Sequence, residues 1–333
     1  MLIMNKKPSF LKLLPFQILL RAIEFRDKPD RVLRGSNTLI NGAVGKFSTA
    51  APLPSWRYEF AAGVLEGKIY IIGGVWLPSV WFPTRLVEVY DAKNEVWKSI
   101  APYPRLIHHT AAVTCQGKLY VVGGNGVRIH PLACVYAYDS GKNRWMRKAD
   151  LPTARGALGV ASVGDRIYAV GGGINKRAVN ILEEYDPLAG RWTARAPMPT
   201  AREHTVAVAA DGRVFVLGGY SGNRFNNLVA NEVYDPKDNT WKVLSPLPYP
   251  VSGLSAAALG DSIFIFGGEQ GWAVSPEVHE YKIKEDRWIR RNNLPVARYA
   301  LTASTVGNSI HVIGGSGYLM GDDFRDEHEV FTL

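Results

Sequence analysis

Short runs of alternating apolar, aromatic and β-branched residues recur along this chain, and each ends in a glycine pair. Six such runs are present, at Lys68–Gly74, Lys118–Gly124, Arg166–Gly172, Arg213–Gly219, Ser262–Gly268 and Ser309–Gly315. Their composition is that of a buried β-strand rather than a helix. The first glycine of each pair falls at 73, 123, 171, 218, 267 and 314, a period of 47–50 residues. A second mark is a tyrosine followed seven positions later by a tryptophan: Tyr90 and Trp97, Tyr138 and Trp145, Tyr185 and Trp192, Tyr234 and Trp241, Tyr281 and Trp288.

The spacings say which parts of the unit are rigid. From each of these tryptophans to the next first glycine is always 26 residues, whereas the stretch from second glycine to tyrosine position varies from 13 to 16. A fixed count is expected where a one-residue slip would turn every strand side chain to the wrong face. The variable stretch is therefore the one loop free to change. Small residues mark a further strand ahead of each glycine run: Ala61–Gly63, Ala111 and Ala112, Ala157 with Gly159, Ala207 with Ala209, Ala256–Ala258, and Ala303 with Ser304. Small side chains suit strands that crowd a common axis. Tight turns at Gly67, Gly117, Gly164, Gly212, Gly260 and Gly307, and Asp-Pro turns at Asp186 and Asp235, separate the strands. Each unit thus reads as four antiparallel strands, and six units around an axis make an all-β, six-bladed β-propeller.

The chain ends fit closure. Phe47 stands 26 residues before Gly73, in the tryptophan position, with no blade ahead of it; Phe331 stands in the tyrosine position with no fourth strand behind it. A strand around Val44–Ser48 is predicted to complete the last blade. The expected organisation is a tail over 1–43 and a propeller over 44–333.

Composition changes this picture in one respect. A chain of 333 residues, 47% hydrophobic and 21% charged, is not disordered in general, and two cysteines exclude a disulfide framework and a multi-cysteine zinc site. The net charge of +9 raises nucleic acid as a partner, but residues 1–43 carry eight Lys/Arg against three acidic residues, leaving only +4 on the other 290. The propeller itself is therefore not expected to bind nucleic acid. Within the tail, Phe10–Leu20 is too short and interrupted for a membrane span, which needs about 20 mainly apolar residues. Lys6 and Lys7 look like the start of a secretory signal, yet Arg21 and Glu24 stand where a small-residue cleavage site belongs. The tail reads as an amphipathic segment docking on the body or peripherally on a membrane. A cytoplasmic monomer is expected, with secretion as the alternative.

Glycine pair, tyrosine, tryptophan seven on and a Pro-x-x-Arg segment together resemble the kelch repeat, in six in-register copies over about 44–333. The resemblance implies a propeller that binds proteins, as in animal ubiquitin-ligase adaptors, or acts on acidic sugars, as in bacterial sialic acid mutarotases. Forty-three residues ahead of the repeats are too few for the adaptors' oligomerisation domain, so that role is not expected. No constellation like the copper site of galactose oxidase is readable.

Candidate chemistry concentrates on one face. The variable loops share it with the Pro-x-x-Arg segments, and they offer Trp76, Trp81, Arg128, Arg177, Arg224, Trp272 and Tyr318 as binding residues. Arg57, Arg155, Arg202 and Arg298 recur 16 residues before the first glycine in four blades, with Ile107 and Val251 in the other two. Recurrence argues for a structural task; the functional reading is a set of guanidinium forks that clamp carboxylate or phosphate. Two residues further on stand Glu59, His109, Ala157, His204, Gly253 and Ala300, polar in blades one, two and four and near the channel mouth. In the adaptor propellers this register contributes to the peptide pocket, which the resemblance extends to Glu59, His109 and His204. The competing structural reading is water-bonded channel side chains. His109 and His204 lie two blades apart and the third place of that triangle is Ala300, so no three-histidine metal site, and no cofactor, is expected. The leading functional expectation is a protein- or peptide-binding scaffold without chemistry. The alternative is a carbohydrate-active enzyme in which Glu59 or His204 is the acid or base and Arg155 or Arg202 grips an acidic sugar.

Overall fold

The computed structural model describes residues 44–77, 82–318 and 323–333; the basic tail 1–43 and Trp81 lie outside the described residues. Six four-stranded antiparallel sheets are present. Blade one is Ala61–Leu65, Lys68–Ile72, Val87–Asp91 and Val96–Ser99, in that spatial order. Blades two to five repeat the plan over 111–147, 159–194, 206–243 and 255–290. Blade six takes Thr302–Val306, Ser309–Ile313 and His328–Thr332 from the end of the chain and Lys46–Thr49 from its beginning. The closing register puts Phe47 opposite Phe331, the place held by Trp97 opposite Tyr90 in blade one.

The core lies between blades. Leu65, Tyr70, Ile72 and Val89 of blade one pack with Leu119, Val121 and Tyr138 of blade two. Ile69, Ile71 and Tyr90 from the other face of blade one pack with Ile313 of blade six. The glycine-run strands are buried on both faces, which is why they read as near-continuous apolar runs. Burial of this kind stabilises by roughly 25 cal/mol per Å² of apolar surface.

Two repeat marks turn out to be blade-to-blade links. Each tryptophan Nε1–H donates to a carbonyl of the preceding blade, at 2.8–3.1 Å: Trp97 to Ala51, Trp145 to Ala101, Trp192 to Ala149, Trp241 to Ala196 and Trp288 to Ser245. In blades one to five the second glycine donates its N–H to the next blade, as Gly74 does to the Ile107 carbonyl and Gly172 to that of Arg202, both at 2.9 Å. The first glycine must let that strand come close. A Cβ on Gly73 would sit 2.5 Å from the Ile107 oxygen, and its φ of +65° suits glycine.

The recurrent arginines also belong to the blades. Arg57, Arg155, Arg202 and Arg298 are fully buried and pair with Glu88, Glu183, Glu232 and Glu329 of their own blades. Arg155 also donates to the carbonyls of Gly171, Thr153 and Ala169 at 2.8–2.9 Å. The structure therefore overturns the reading of Arg155, Arg202 and Arg298 as ligand clamps: a carboxylate of the blade already holds each fork. Cys115 and Cys134 are buried and free.

Candidate functional site

Each blade turns from its Pro-x-x-Arg segment into its innermost strand through one residue: Glu59, His109, Ala157, His204, Gly253 or Ala300. All six have left-handed backbone, with φ between 48° and 57°. The conformation aims five of the six N–H groups along the ring. His109 donates to Glu59, Ala157 to His109, His204 to Ala157, Gly253 to His204 and Ala300 to Gly253, at 2.8–3.1 Å. The pairing satisfies buried donors that no sheet ladder reaches, which offsets the roughly 1–3 kcal/mol cost of left-handed geometry in a residue with a side chain. Below this ring the channel encloses about 520 Å³ and is walled by small residues such as Ala62, Ala112, Gly159, Ala207, Ala256 and Ala303.

Glu59, His109 and His204 meet at the mouth. His109 Nε2 lies 3.1 Å from His204 Nε2 and 3.4 Å from Glu59 Oε2. Behind them, His108 Nε2 is 3.1 Å from the Gly126 carbonyl, and His108 Nδ1 is 2.5 Å from His109 Nδ1. A carbonyl can only accept, so His108 carries its proton on Nε2 and presents a lone pair at Nδ1. His109 therefore carries its proton on Nδ1, and its Nε2 lone pair faces the mouth. His204 stacks on Tyr220 with centroids 4.8 Å apart, and its Nδ1 lies 3.7 Å from Glu203.

The environment sets the charges. Burial pushes the Glu59 carboxyl up to about 7, with the neighbouring His204 pulling the other way. Burial lowers His108 to about 4 and holds His109 well below the ordinary imidazole range, so both are neutral at pH 7. For His204 burial works downward too, but Glu203, Glu59 and Glu269 outweigh it and raise the group. Glu269, buried and bonded to Ser252 at 3.1 Å, is raised by burial. Tyr58, Tyr299, Val274 and Phe324 pack together over one side of the mouth.

The surrounding rim is apolar and exposed. Trp76, Phe82, Val127, Ile129, Phe225 and Trp272 are each at least 42% exposed. Trp272 stands at the tip of a short hairpin, Glu269–Gln270 paired with Ala273–Val274. Phe225, from the preceding blade's loop, packs against it in an edge-type arrangement with ring centroids 5.4 Å apart, and the Arg224 guanidinium lies 5.1 Å from its ring. The other loop candidates are spread around the face: Arg128 is exposed in a single 3₁₀ turn at Val127–Ile129, Arg177 is exposed in a two-residue hairpin, and Tyr318 is half-buried beside Ser316.

Sequence reasoning missed His108, Glu203 and Tyr220. Each had a positional signal: 108 and 203 directly precede ring residues, and 220 directly follows a glycine pair. In every blade these two registers bridge each other, as Glu203 does Tyr220 and His108 does Asn125. Position 300 is alanine, and the group that joins the two histidines is Glu59 of blade one, whose carboxylate lies within 4.8 Å of both.

Comparison with known proteins places this architecture. A family model described as the KLHDC2/KLHL20/DRC7 Kelch-repeats domain matches residues 87–268 and 189–315, and a Kelch motif model matches 57–102. Kelch-like protein 25 of Xenopus tropicalis is 29% identical over 133 residues, covering 38% of this chain and 23% of that protein. A kelch repeat-containing protein of Arabidopsis thaliana is 36% identical over 63 residues, 19% of this chain and 15% of its own length. The match thus spans about a quarter or less of these curated relatives. The solved structure of YjhT superposes with a TM-score of 0.73 over 86% of this chain and 97% of that one, at 17% identity. That likeness concerns the fold.

Proposed function

This chain is a member of the kelch-repeat family, and from that premise we propose that its variable-loop face binds a protein or peptide whose apolar anchor seats on Trp272 and Phe225. The observation that carries the reading is the held tryptophan. Trp272 is 60% exposed, yet the Phe225 ring and the Arg224 cation hold its ring in place. An exposed aromatic that is already ordered loses little conformational freedom on binding, and Trp, Tyr and Arg dominate interface hot spots. Trp76 and Phe82, in the blade-one loop, are exposed apolar side chains as well, and exposed apolar patches mark interaction sites.

The acidic-sugar alternative loses the arginines first assigned to it. Arg155 and Arg202 are committed to Glu183 and Glu232.

Peptides selected against the purified protein from a displayed random library test the proposal. Binders should be enriched in aromatic or long aliphatic anchors. Trp272→Ala should weaken them by at least about 30-fold, the ~2 kcal/mol of a hot-spot residue. Leu188→Ala, in a turn on the opposite face, should change nothing. Binders indifferent to Trp272→Ala and Phe225→Ala overturn the proposal, as does thermal stabilisation by sialic acid with no peptide selected at all.

A further inference from the structure

We propose that Glu59, His109 and His204 bind one divalent cation of the zinc class at the channel mouth, through His109 Nε2, His204 Nε2 and the Glu59 carboxylate. This site is independent of the aromatic rim. Its three donor atoms lie within 4.8 Å of one another. Two of the three separations, 3.1 Å and 3.4 Å, agree with a cation at bonding distance, and the third, Glu59 to His204, is wider, within 4.8 Å, so the Glu59 carboxylate has to turn inward as the ion binds. Donors at about 2.0–2.1 Å with tetrahedral angles stand about 3.3–3.4 Å apart.

The outer partners carry the assignment further. A metal-binding imidazole has one nitrogen on the metal and the other anchored, which fixes tautomer and ring angle. His109 is anchored through Nδ1 to His108, and His108 to the Gly126 carbonyl, so the His109 lone pair faces the other donors. His204 faces the same point with Nε2; its Nδ1, 3.7 Å from Glu203, makes no hydrogen bond, and the stacked Tyr220 ring holds the imidazole instead. The donors stand on the hydrogen-bonded ring of left-handed residues, which holds their backbones in place before any ion arrives. Two nitrogens and one carboxylate suit zinc and its neighbours better than magnesium or calcium, which prefer all-oxygen shells. Three protein ligands leave a coordination position for water or a ligand atom at the mouth. The ion would also clasp blades one, two and four together.

The full chain, stripped with a chelator and dialysed against Co²⁺ or Zn²⁺, provides the test. One equivalent should bind, the cobalt form should show the intense visible absorption of a four- or five-coordinate ion, and zinc should displace it. Glu59→Gln, His109→Gln and His204→Gln should each lose binding. His108→Ala, which removes only an outer partner, should weaken it roughly 10–100-fold. His130→Ala, on an exposed loop, should bind as the parent does. Metal-free melting curves of the variants establish that each is folded. X-ray absorption of the zinc-loaded parent, needing no variant, should show two imidazoles with oxygen donors. Failure of the parent to bind, an all-oxygen or sulfur-containing shell, or equal binding by His109→Gln and His204→Gln would mean an adventitious ion only and overturn the assignment.

Discussion

Glu232→Gln should destabilise the propeller by about 3–5 kcal/mol, while adding Arg202→Ile and placing tyrosine at 232 should restore most of the loss. Glu232 is buried, bonded to Thr200 at 2.6 Å, and paired with the fully buried Arg202 at 2.5 Å. Neutralising the carboxylate alone strands a cation without its counter-charge, the expensive way to break a buried pair. Removing both charges avoids that cost. The chain itself shows the substitution to be compatible with the fold. Blades one, three, four and six carry arginine with glutamate, at Arg57 and Glu88, Arg155 and Glu183, Arg202 and Glu232, and Arg298 and Glu329. Blade two has Ile107 and Tyr136 at those two positions, and blade five has Val251 and His279. Blade four is the best host for the blade-two pair. Thr205 already bonds the Leu217 carbonyl at 2.9 Å, as Thr110 bonds that of Val122 at 3.1 Å in blade two. The Val216 carbonyl, which accepts from Arg202 at 3.0 Å, loses that partner, so recovery should stop about 1–2 kcal/mol short. Denaturant titration of parent, single and double variants measures the coupling. A double variant less stable than Glu232→Gln would show that the pair is not a separable unit.

That paired exchange was present in the sequence all along. Recurrence at the arginine position suggested a structural task, but nothing pointed to its partner until the register placed a glutamate two residues before the tyrosine position in each of the four arginine-bearing blades. Four glutamates there, absent only where the arginine is absent, is a signal that aligning the repeats against one another would recover. The blade count, strand order and closing strand were legible because a rigid, repeated geometry imposes fixed spacings. Glu59, His109 and His204 were legible as exceptions, polar residues breaking a repeat of Ala and Gly. Their convergence was not, because it depends on the channel radius and on side-chain directions two blades apart. Nor was the His108 relay, whose proton positions follow from one backbone carbonyl, Gly126, in a loop with no counterpart in other blades. The rim is least legible. Each loop is unique within the chain, so internal comparison says where variation is allowed and nothing of how Arg224, Phe225 and Trp272 stack.

Cutting the chain so that it begins at Ala50 should cost more than any single core truncation, whose range is roughly 3–5 kcal/mol. The strand Lys46–Thr49 is itself largely exposed, so lost burial is not the main reason. What it supplies is closure. It pairs Phe47 with Phe331 and fills the free edge of His328–Thr332, the strand that carries the Glu329 partner of Arg298 and the fully buried Phe331. Phe331 packs against Phe47, Phe264 and Phe266 with centroids 5.1–5.6 Å apart, tying the outer strand to blade five. The preceding Gly45 carbonyl accepts from Asn292 at 2.5 Å, a second tie to the segment after blade five. Without the strand, blade six has three strands and presents an unpaired edge, so the shortened protein should associate as well as unfold more readily. A circular permutant joining Leu333 to Val44 through a flexible linker, reopened in the turn at Leu188, keeps the strand while moving the ends. It should retain the parent's denaturation midpoint and remain monodisperse by light scattering. If the shortened chain keeps that midpoint while the permutant loses it, stability resides in the position of the termini and not in the closing strand.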